Sequence, residues 1–390
     1  MKFSVLLPTR NGGRYLGDCI RSVLSQPYED MELIVSDNAN TDDTQKIIES
    51  FSEDPRLKTI RTEKPVSVTE NWNNALAASS GDYILMIGDD DFLLPNYFIR
   101  MQEVIEKYKQ PDGITYNGYG YIFPNAISEN TPSYYSNPFF NYGPDFKQEK
   151  ELSPDFLHQI VLDMFQFNVR VPLNTLPHLW SRKVINRVEG NIFRPPYPDH
   201  FALNSLFLKA KTWIFLPEQL FIIGVTPSSY GHFVFSDTKQ KEGADYLGIS
   251  MEFKDQLPGN ALVNNMCVWL DLLRKNHPEH LTNIDISRAN YVRHQVYHWV
   301  SQYRHGSITL TALRRLFSNL SYIDWMGVIS SAWDKKSIQA LLSRIIKPMI
   351  KTPKASKLNT FYYGPKVLEE VSNIKDFANW ICRKKPENQR

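Results

Sequence analysis

Short apolar runs alternate with segments of helical spacing along the first 117 residues of the chain. Each run is four to six residues long and is bounded by turn-forming residues, which is typical of buried strands. Between the runs, apolar residues recur every three or four positions, which predicts helices. The predicted strands are 3–7, 31–36, 57–60, 83–87 and 113–117, and the predicted helices are 14–25, one through 47–51, 68–78 and 97–108. This alternation predicts an α/β fold, with a mostly parallel sheet flanked by helices.

The pattern changes after residue 117. Residues 118–150 are rich in Tyr, Phe, Asn and Pro and have little periodicity, so we expect a long irregular loop over one face of the sheet. Further predicted elements are a helix at 156–164, a strand at 178–182, helices at 183–188 and 199–207, and strands at 213–216 and 220–224. From about residue 236 the apolar spacing is helical, which predicts one large domain over 1–235 and a mainly helical appendage over 236–390.

The bulk composition is that of an ordinary globular protein of 390 residues, with 42% hydrophobic and 22% charged positions. A formal net charge of +2 favours no particular partner. The three cysteines, Cys19, Cys267 and Cys382, are far apart and lack metal-site spacing, which predicts reduced thiols in a cytoplasmic protein. The N-terminal apolar run is too short for a signal peptide, and no stretch approaches the roughly 20 apolar residues of a membrane span.

Three consecutive carboxylates follow the fourth predicted strand, at Asp89, Asp90 and Asp91. In an open α/β sheet, ligands bind beyond the carboxyl ends of the strands. Adjacent carboxylates repel one another, so a strand end of this kind is costly unless a cation shares them. Taken alone, the triplet is also compatible with a solvated acidic turn.

The loop after the first strand, Thr9-Arg10-Asn11-Gly12-Gly13, contains neither a G-x-G-x-x-G fingerprint nor a phosphate-binding P-loop. A nucleotide bound at this edge would therefore need another group to neutralise its phosphates. Mg²⁺ or Mn²⁺ on the acidic triplet would do so, because these ions prefer a few carboxylates together with phosphate oxygens.

Five segments together carry a family resemblance. They are residues 4–11 (SVLLPTRN), 22–26 (SVLSQ), 32–38 (ELIVSDN), 41–44 (TDDT) and 81–91 (GDYILMIGDDD). In this order and spacing they resemble family 2 glycosyltransferases of the GT-A (Rossmann-like) fold, over roughly the first 100 residues. The resemblance implies transfer of a sugar from a nucleoside-diphosphate donor with inversion at the anomeric carbon. Residues 1–117 would bind the nucleotide sugar, and residues 118–235 would form the acceptor half.

The resemblance also implies roles for residues near the donor. Pro8, Thr9 and Asn11 would lie under the nucleoside, and Asp37 would accept a hydrogen bond from its base. Asn73 matches an asparagine in the helix before the fourth strand. From the residues alone, Asp37 could simply end a strand and Asn73 could fix a local turn.

The acidic triplet would hold the ribose of the donor and the metal, Mn²⁺ or Mg²⁺. The commoner Asp-x-Asp-Asp form would place its first carboxylate where this chain has Gly88. We therefore expect Asp89 to contact the ribose and Asp90 or Asp91 to bind the metal. His232 lies where some family members place a metal or diphosphate ligand, although a lone histidine is also compatible with a surface position.

Asp199 follows a proline-rich approach, Pro195 to Pro198, and begins a predicted helix. A carboxylate there is well placed as a helix cap. In family 2 enzymes this position resembles the acceptor-side acid that removes the proton of the acceptor hydroxyl, so Asp199 is the candidate catalytic base.

Residues 335–368 contain eight Lys and Arg and no Asp or Glu, with aliphatic residues between the cations. Such a segment suits an anionic membrane surface on the inner face of the membrane, and a solvated helix face with a linker is the alternative. It lacks a recognised nucleic-acid-binding module, so we expect no nucleic-acid partner.

The leading hypothesis is a metal-dependent glycosyltransferase with a UDP-sugar as the expected donor. The acceptor would be a saccharide or a lipid-linked saccharide, in polysaccharide or glycolipid assembly. Two alternatives stay open. A nucleotidyltransferase on a related sheet would need a more basic phosphate loop than residues 9–13. A non-catalytic protein that binds sugar nucleotides or carbohydrates would bind donor without turnover.

Overall fold

The computed structural model describes residues 1–127, 129–143, 146–227, 229, 252–304, 306–330 and 365–384. The first half of the chain alternates strands and helices, as predicted. Its elements are β1 (Phe3–Thr9), α1 (Gly13–Leu24), β2 (Met31–Asp37), α2 (Thr44–Glu49), β3 (Leu57–Arg61), α3 (Val68–Ala77), β4 (Tyr83–Met86), β5 (Phe92–Leu93) and α4 (Tyr97–Lys107). Local signals set several boundaries. For example, the Ser67 side chain accepts a hydrogen bond from the Glu70 amide and caps α3.

The middle of the chain adds further strands to the same sheet. Its elements are β6 (Gly113–Ile122), β7 (Ser133–Ser136), β8 (Lys150–Leu152), α5 (Pro154–Phe165), β9 (His178–Ser181), α6 (Arg182–Ile185), α7 (Pro198–Lys209) and β10 (Trp213–Val225). The described C-terminal elements are α8 (Ala261–Asn276), α9 (Pro278–Leu281), α10 (Arg288–Arg304), α11 (Leu310–Phe317), α12 (Tyr322–Ser330), β11 (Lys366–Leu368) and α13 (Ile374–Lys384).

The sheet is mixed, and its parallel part includes the first four strands. Within the described residues the order is β11-β7-β6-β9-β4-β1-β2-β3, with β10 paired to β5, β6 and β8. β1 pairs in parallel with β2 and β4, and β2 pairs in parallel with β3. β9 is antiparallel to both β4 and β6. β6 therefore runs in the same direction as β4, and the carboxyl ends of β1, β2, β4 and β6 lie at one edge, which we call the carboxyl edge.

Two expectations about the middle of the chain need correction. The region 118–150 is not irregular throughout, because β6 continues to Ile122 and β7 turns back to pair antiparallel with it, whereas the described residues between β6 and β7 and between β7 and β8 belong to no strand. The expected separate strands at 213–216 and 220–224 form one strand, β10, whose pairing with β6 shifts register between Phe215 and Ile222. Pro217 lies within this irregular part of β10, because proline lacks the backbone N–H that regular strand pairing requires.

The C-terminal region is mainly helical, as predicted, and it packs closely on the sheet-containing part. One hydrophobic cluster contains Leu157 of α5, Phe201 of α7 and Trp269 of α8, all fully buried. The cluster is thus continuous across the expected division at residue 235. The chain also returns to the sheet, because β11 pairs with β7 and Phe377 of α13 stacks on Tyr121 at 5.1 Å. None of the helices in the described ranges is long and apolar enough to cross a bilayer.

Candidate active site

Three parallel strands end beside one another at the carboxyl edge. Thr9 ends β1 and is paired in register with Asp37, which ends β2. On the other side of β1, Leu6 is paired with Met86, the last residue of β4. The chain leaves β4 through Gly88 into the acidic triplet, so side chains from residues 9, 37 and 89–91 converge at this edge of the sheet.

Asp89 faces the loop that follows β1. The Thr9 hydroxyl donates a hydrogen bond of 2.5 Å to Asp89 Oδ2. Gly12 lies so close that a Cβ atom at this position would collide with the Asp89 carboxylate. Glycine is therefore required where the β1–α1 loop passes the first carboxylate.

Asp91 points into the fold and holds the turn together. Its Oδ2 accepts the Gly88 amide at 2.9 Å and its Oδ1 accepts the Gly224 amide at 2.9 Å. The residue is only 5% exposed. Because each of its two carboxylate oxygens receives a backbone N–H, Asp91 ties the end of β4 to the end of β10.

Asp90 contacts the segment that follows β10. The Ser229 hydroxyl donates to Asp90 Oδ2 at 2.9 Å, and the Thr226 hydroxyl also lies within hydrogen-bonding distance of the carboxylate. Gly224 approaches the Asp90 carbonyl closely enough that any side chain would collide with it. Both Asp89 and Asp90 are thus held by hydroxyl donors and remain partly exposed at the edge.

The three carboxylates are electrostatically unbalanced. Burial, together with repulsion from neighbouring carboxylates, raises the pKa of Asp89 and Asp90 well above the usual range for Asp. Burial likewise raises the pKa of Asp91. Within the described ranges, no Lys, Arg or His forms an ion pair with any of them. A cation placed here would relieve both the repulsion and the desolvation of the carboxylates.

The side chains at the carboxyl edge supply only part of the coordination shell of a hard divalent ion. Among the described residues, no three His, Cys, Asp or Glu side chains converge in a way that could hold a metal. Asp89 and Asp90 offer carboxylate oxygens on adjacent residues, whereas those of Asp91 already accept two amides. Mg²⁺ and Mn²⁺ are commonly bound by one or two carboxylates, with water and substrate phosphate completing the shell. The residues present fit that arrangement.

Asp37 is already compensated. Its Oδ2 accepts Arg61 Nη1 at 2.7 Å and its Oδ1 accepts the Asn40 amide at 2.8 Å. Asp37 is 2% exposed, whereas the Arg61 side chain is 43% exposed. The pair presents a guanidinium beside the ends of β1 and β2, which sequence reasoning did not identify.

Two loops beside Asp37 are joined through Asn11. Asn11 adopts a left-handed conformation with a φ of 57°, and its amide donates to Asn40 Oδ1 at 2.5 Å. In return, Asn11 Oδ1 accepts the Thr41 amide at 3.0 Å. Pro8, half-buried in β1, lies directly before Thr9. Asn11 thus connects the loop after β1 to the loop after β2.

Asn73 lies in α3, and its amide has partners within the fold. Asn73 Nδ2 donates to the Thr69 carbonyl at 2.9 Å and to the Phe193 carbonyl at 3.0 Å. The neighbouring Trp72 ring contacts the Phe193 ring edge-on at 5.4 Å. These contacts attach residues 193–197, the approach to Asp199, to α3. The predicted donor contact of Asn73 stays a prediction.

Asp199 lies in the first turn of α7, which begins at the carboxyl edge. The other end of α7 is at the opposite edge, because the Lys211 amide donates to Asp112, the residue before β6. A helix of 12 residues spans about 18 Å, which carries Pro198 back to the carboxyl edge. Asp199 therefore lies toward the carboxyl edge, on the face of the sheet that carries α3.

The surroundings of Asp199 make it a stronger base than an ordinary aspartate. Its side chain is 21% exposed, and burial raises its pKa. The His200 amide donates to Asp199 Oδ1 at 3.0 Å. Burial lowers the pKa of the His200 imidazole, so a neutral ring lies beside the carboxylate. Asp199 combines partial exposure with a raised pKa at a position outside the acidic triplet.

The remaining predicted site residue, His232, lies outside the described residues, as does most of the basic stretch 335–368. The part of that stretch that is described includes strand β11. Sequence reasoning missed Arg61, Gly224 and Ser229. Gly224 and Ser229 lie about 135 positions from the triplet, and the pairing of β10 with β5 and β6 brings them close. The only signal in the sequence for a role of Arg61 was its position directly after the predicted third strand.

Comparison with known proteins identifies one matching family model, "Glycosyl transferase family 2", over residues 4–162. Glycosyltransferase GlyG of Streptococcus pneumoniae is 24% identical over 220 residues, which cover 56% of this chain and 69% of that protein. The GalNAc(5)-diNAcBac-PP-undecaprenol beta-1,3-glucosyltransferase of Campylobacter jejuni is 30% identical over 130 residues, which cover 33% and 39% of the two chains. The match to this second relative thus spans well under half of its length.

Among solved structures, residues 1–349 of TarS from Staphylococcus aureus in complex with UDP-GlcNAc match with a TM-score of 0.53. The alignment covers 96% of this chain and 98% of that chain at 15% sequence identity. At this identity the match supports the fold, which is the GT-A fold expected from the sequence.

Proposed function

We propose that the chain is a glycosyl transferase of family 2, which transfers a sugar from a nucleoside-diphosphate sugar to a hydroxyl acceptor with inversion at the anomeric carbon. The observation that carries this proposal is the carboxyl edge itself. Uncompensated carboxylates at Asp89 and Asp90 lie beside the ends of β1 and β2, while Asp199 reaches the same edge from another face. This arrangement supports a reaction in which the sugar donor and the acceptor hydroxyl meet at the carboxyl edge.

The donor occupies the ends of β1 and β2 in this proposal. The nucleoside lies against Pro8, Thr9 and Asn11. The Asp37–Arg61 pair offers the nucleobase both a hydrogen-bond acceptor and a hydrogen-bond donor. The hydrogen bond from Thr9 holds Asp89 at the position where a ribose hydroxyl would be bound. A UDP-sugar is the proposed donor, in keeping with the UDP-GlcNAc bound in the TarS complex.

A divalent cation, Mn²⁺ or Mg²⁺, is the proposed cofactor, held by Asp90 with Asp89 nearby. When bound, it stabilises the negative charge that develops on the leaving diphosphate. Asp91 is the less suitable ligand because backbone amides already occupy both of its oxygens. His232 remains a further proposed ligand.

Asp199 is the proposed base. It removes the proton from the acceptor hydroxyl while that oxygen attacks the anomeric carbon, and the bond from this carbon to the diphosphate oxygen breaks on the opposite face. A single displacement of this kind inverts the configuration. The raised pKa of Asp199 brings its basicity closer to neutral pH, where a general base is most effective.

The acceptor is proposed to be a saccharide or a lipid-linked saccharide, in polysaccharide or glycolipid assembly. The undecaprenol-linked acceptor in the name of the Campylobacter relative supports this class. A lipid-linked acceptor would be met at the inner face of the membrane. We therefore propose a cytoplasmic protein that associates peripherally with that surface.

Exchange of Asp199 for Asn tests the reaction. We expect Asp199→Asn to retain affinity for the donor, measured as the thermal shift with UDP-sugars and Mn²⁺, because the amide is nearly isosteric. Turnover, measured as release of the nucleoside diphosphate, should fall by a factor on the order of 10²–10⁴ because the base is lost. Asp285→Asn, at a side chain that is 97% exposed, serves as the matched control.

Three results would contradict the proposal. Equal loss of donor binding and turnover in Asp199→Asn would assign the residue to a structural role. Pyrophosphate as the product would favour a nucleotidyltransferase. Donor binding by the unmodified protein without turnover on any saccharide acceptor would favour a non-catalytic binding protein.

A further inference from the structure

Helix α12 (Tyr322–Ser330) presents an apolar face to solvent. Tyr322 is 79% exposed, Ile323 is 76% exposed and Met326 is 49% exposed. Positions 322, 323 and 326 lie on one face, because residues three and four apart are neighbours on a helix. Isolated exposed apolar residues are ordinary, whereas several on one short helical face indicate a surface that binds something.

The opposite face of α12 is firmly attached to the fold. The Asp324 carboxylate is 5% exposed and pairs with Arg288 of α10 at 2.8 Å. The Trp325 ring stacks on Phe317 at the end of α11 with a centroid distance of 5.5 Å. These contacts fix the direction of α12, so the apolar face is held outward by the structure.

The part of the sequence that contains this face is strongly cationic. From Arg288 to Leu368 there are 13 Lys and Arg, two Asp and no Glu. One of the two acids, Asp324, is neutralised by Arg288. The whole chain has a formal net charge of only +2, so the remainder is net negative. Positive charge is therefore concentrated around α12 in the sequence, including the exposed Arg314 and Arg315 of α11.

We propose that the outward face of α12, formed by Tyr322, Ile323 and Met326, docks on an anionic lipid bilayer. Apolar side chains with a tyrosine enter the boundary between headgroups and acyl chains, while nearby cations attract the anionic headgroups. An anionic bilayer accommodates both the apolar face of α12 and the cations that surround it in the sequence. A second copy of the chain would instead bring like charges together.

This docking surface is distinct from the donor site and does not rest on the proposed reaction. It extends the membrane prediction for residues 335–368 to a described element whose side chains can be tested individually. Docking would hold the protein at the surface where a lipid-linked acceptor is presented.

The test is co-sedimentation of the full chain with phosphatidylcholine vesicles, with and without phosphatidylglycerol, at low and high salt. We expect binding to vesicles that contain phosphatidylglycerol, and weaker binding at high salt because the charges are screened. The double variant Ile323→Ser with Met326→Ser should reduce the vesicle-bound fraction by roughly tenfold. The matched control is Ile99→Ser with Val169→Ser, which removes two other exposed apolar side chains.

Melting temperature and the thermal shift with a UDP-sugar are measured on both variants, so that misfolding and loss of the donor site are distinguished from loss of docking. Equal vesicle binding by the α12 variant and the unmodified protein would overturn the proposal. A concentration-dependent dimer that the α12 variant abolishes would assign the face to a second copy.

Discussion

Carboxylates occur at both edges of the same sheet, and those of Glu32 and Asp112 at the amino edge differ in their surroundings from those of Asp89 and Asp90 at the carboxyl edge. At the amino edge, Glu32 of β2 is 1% exposed. Its carboxylate accepts Ser4 Oγ at 2.6 Å and pairs with Lys58 at 2.6 Å and Lys2 at 2.8 Å. Burial alone would raise the pKa of Glu32, but the hydrogen bonds from Lys2, Lys58 and Ser4 lower it below the usual range.

Asp112, before β6, follows the same rule at the amino edge. It is 4% exposed, pairs with Arg187 at 2.6 Å and accepts the Lys211 amide at 2.7 Å. At the carboxyl edge, Asp89 and Asp90 have hydroxyl partners and, within the described residues, no cation. Their pKa is raised where that of Glu32 is lowered.

This difference distinguishes Asp89 and Asp90 from the acids that cations of the fold neutralise, Glu32, Asp112 and Asp37. A buried carboxylate that serves the fold is balanced by cations of the fold, because an unpaired buried charge is strongly destabilising. A carboxylate left without a cation at the ligand-binding edge of an α/β sheet indicates that a ligand supplies the missing charge.

Among the tests of this comparison between the two edges, the largest expected effect comes from Asp90→Asn. We expect turnover to fall by about 10²–10³ with Mn²⁺ present, because the substitution removes a carboxylate proposed to hold the charge-stabilising ion. The melting temperature should stay the same or rise, because one of several mutually repelling buried charges is removed. Turnover assays and thermal unfolding measure the two effects. Unchanged turnover, or a clear loss of stability, would break the comparison between the two edges.

Glu32→Gln should do the opposite. The free energy of unfolding should fall by about 2–3 kcal/mol, because hydrogen bonds to a buried charged group are lost, while turnover per folded molecule stays unchanged. Urea unfolding and turnover assays measure the two quantities. A loss of turnover without loss of stability would show that this edge also takes part in the reaction.

The pH dependence of this stability difference follows from the direction of the pKa shift. The pKa of Glu32 is lower in the folded protein than its ordinary value of 4.5. Its stabilisation is therefore complete above about pH 4.5 and is lost as the pH falls toward the folded-state pKa. Urea unfolding of both proteins between neutral and acidic pH should show the difference narrowing on acidification. A difference that widens would contradict the assignment.

Asp91→Asn should give the smallest effect of the three, a loss of about 1–2 kcal/mol of stability. Asparagine can accept only one of the amides of Gly88 and Gly224, which leaves a buried donor without a partner. Turnover should fall less than in Asp90→Asn. Thermal melts and turnover assays of both variants distinguish the role of Asp91 from that of Asp90. Turnover lost more completely than in Asp90→Asn would make Asp91 the principal metal ligand.

The parallel half of the fold could be predicted from the sequence because its signals are local. Of the first four strands, β1, β2 and β4 are mainly apolar runs between turn residues, and each intervening helix has apolar residues at helical spacing. The region 118–150 was misread because Gly, Asn and Tyr alternate in β6 without a clear apolar period. That strand is buried through all of its length, so one face does not differ from the other.

The sequence by itself determined which acids stand at a strand end, since a strand and the residue that terminates it are neighbours in the chain. It could not determine which of Asp89, Asp90 and Asp91 is tied to the backbone. That depended on the amide of Gly224 and the hydroxyl of Ser229, which reach the triplet only through the pairing of β10 in the folded sheet. Tertiary structure likewise decided which carboxylates are neutralised. Lys2 and Lys58 reach Glu32 only because distant segments pack together. The same packing leaves Asp89 and Asp90 without such a partner among the described residues.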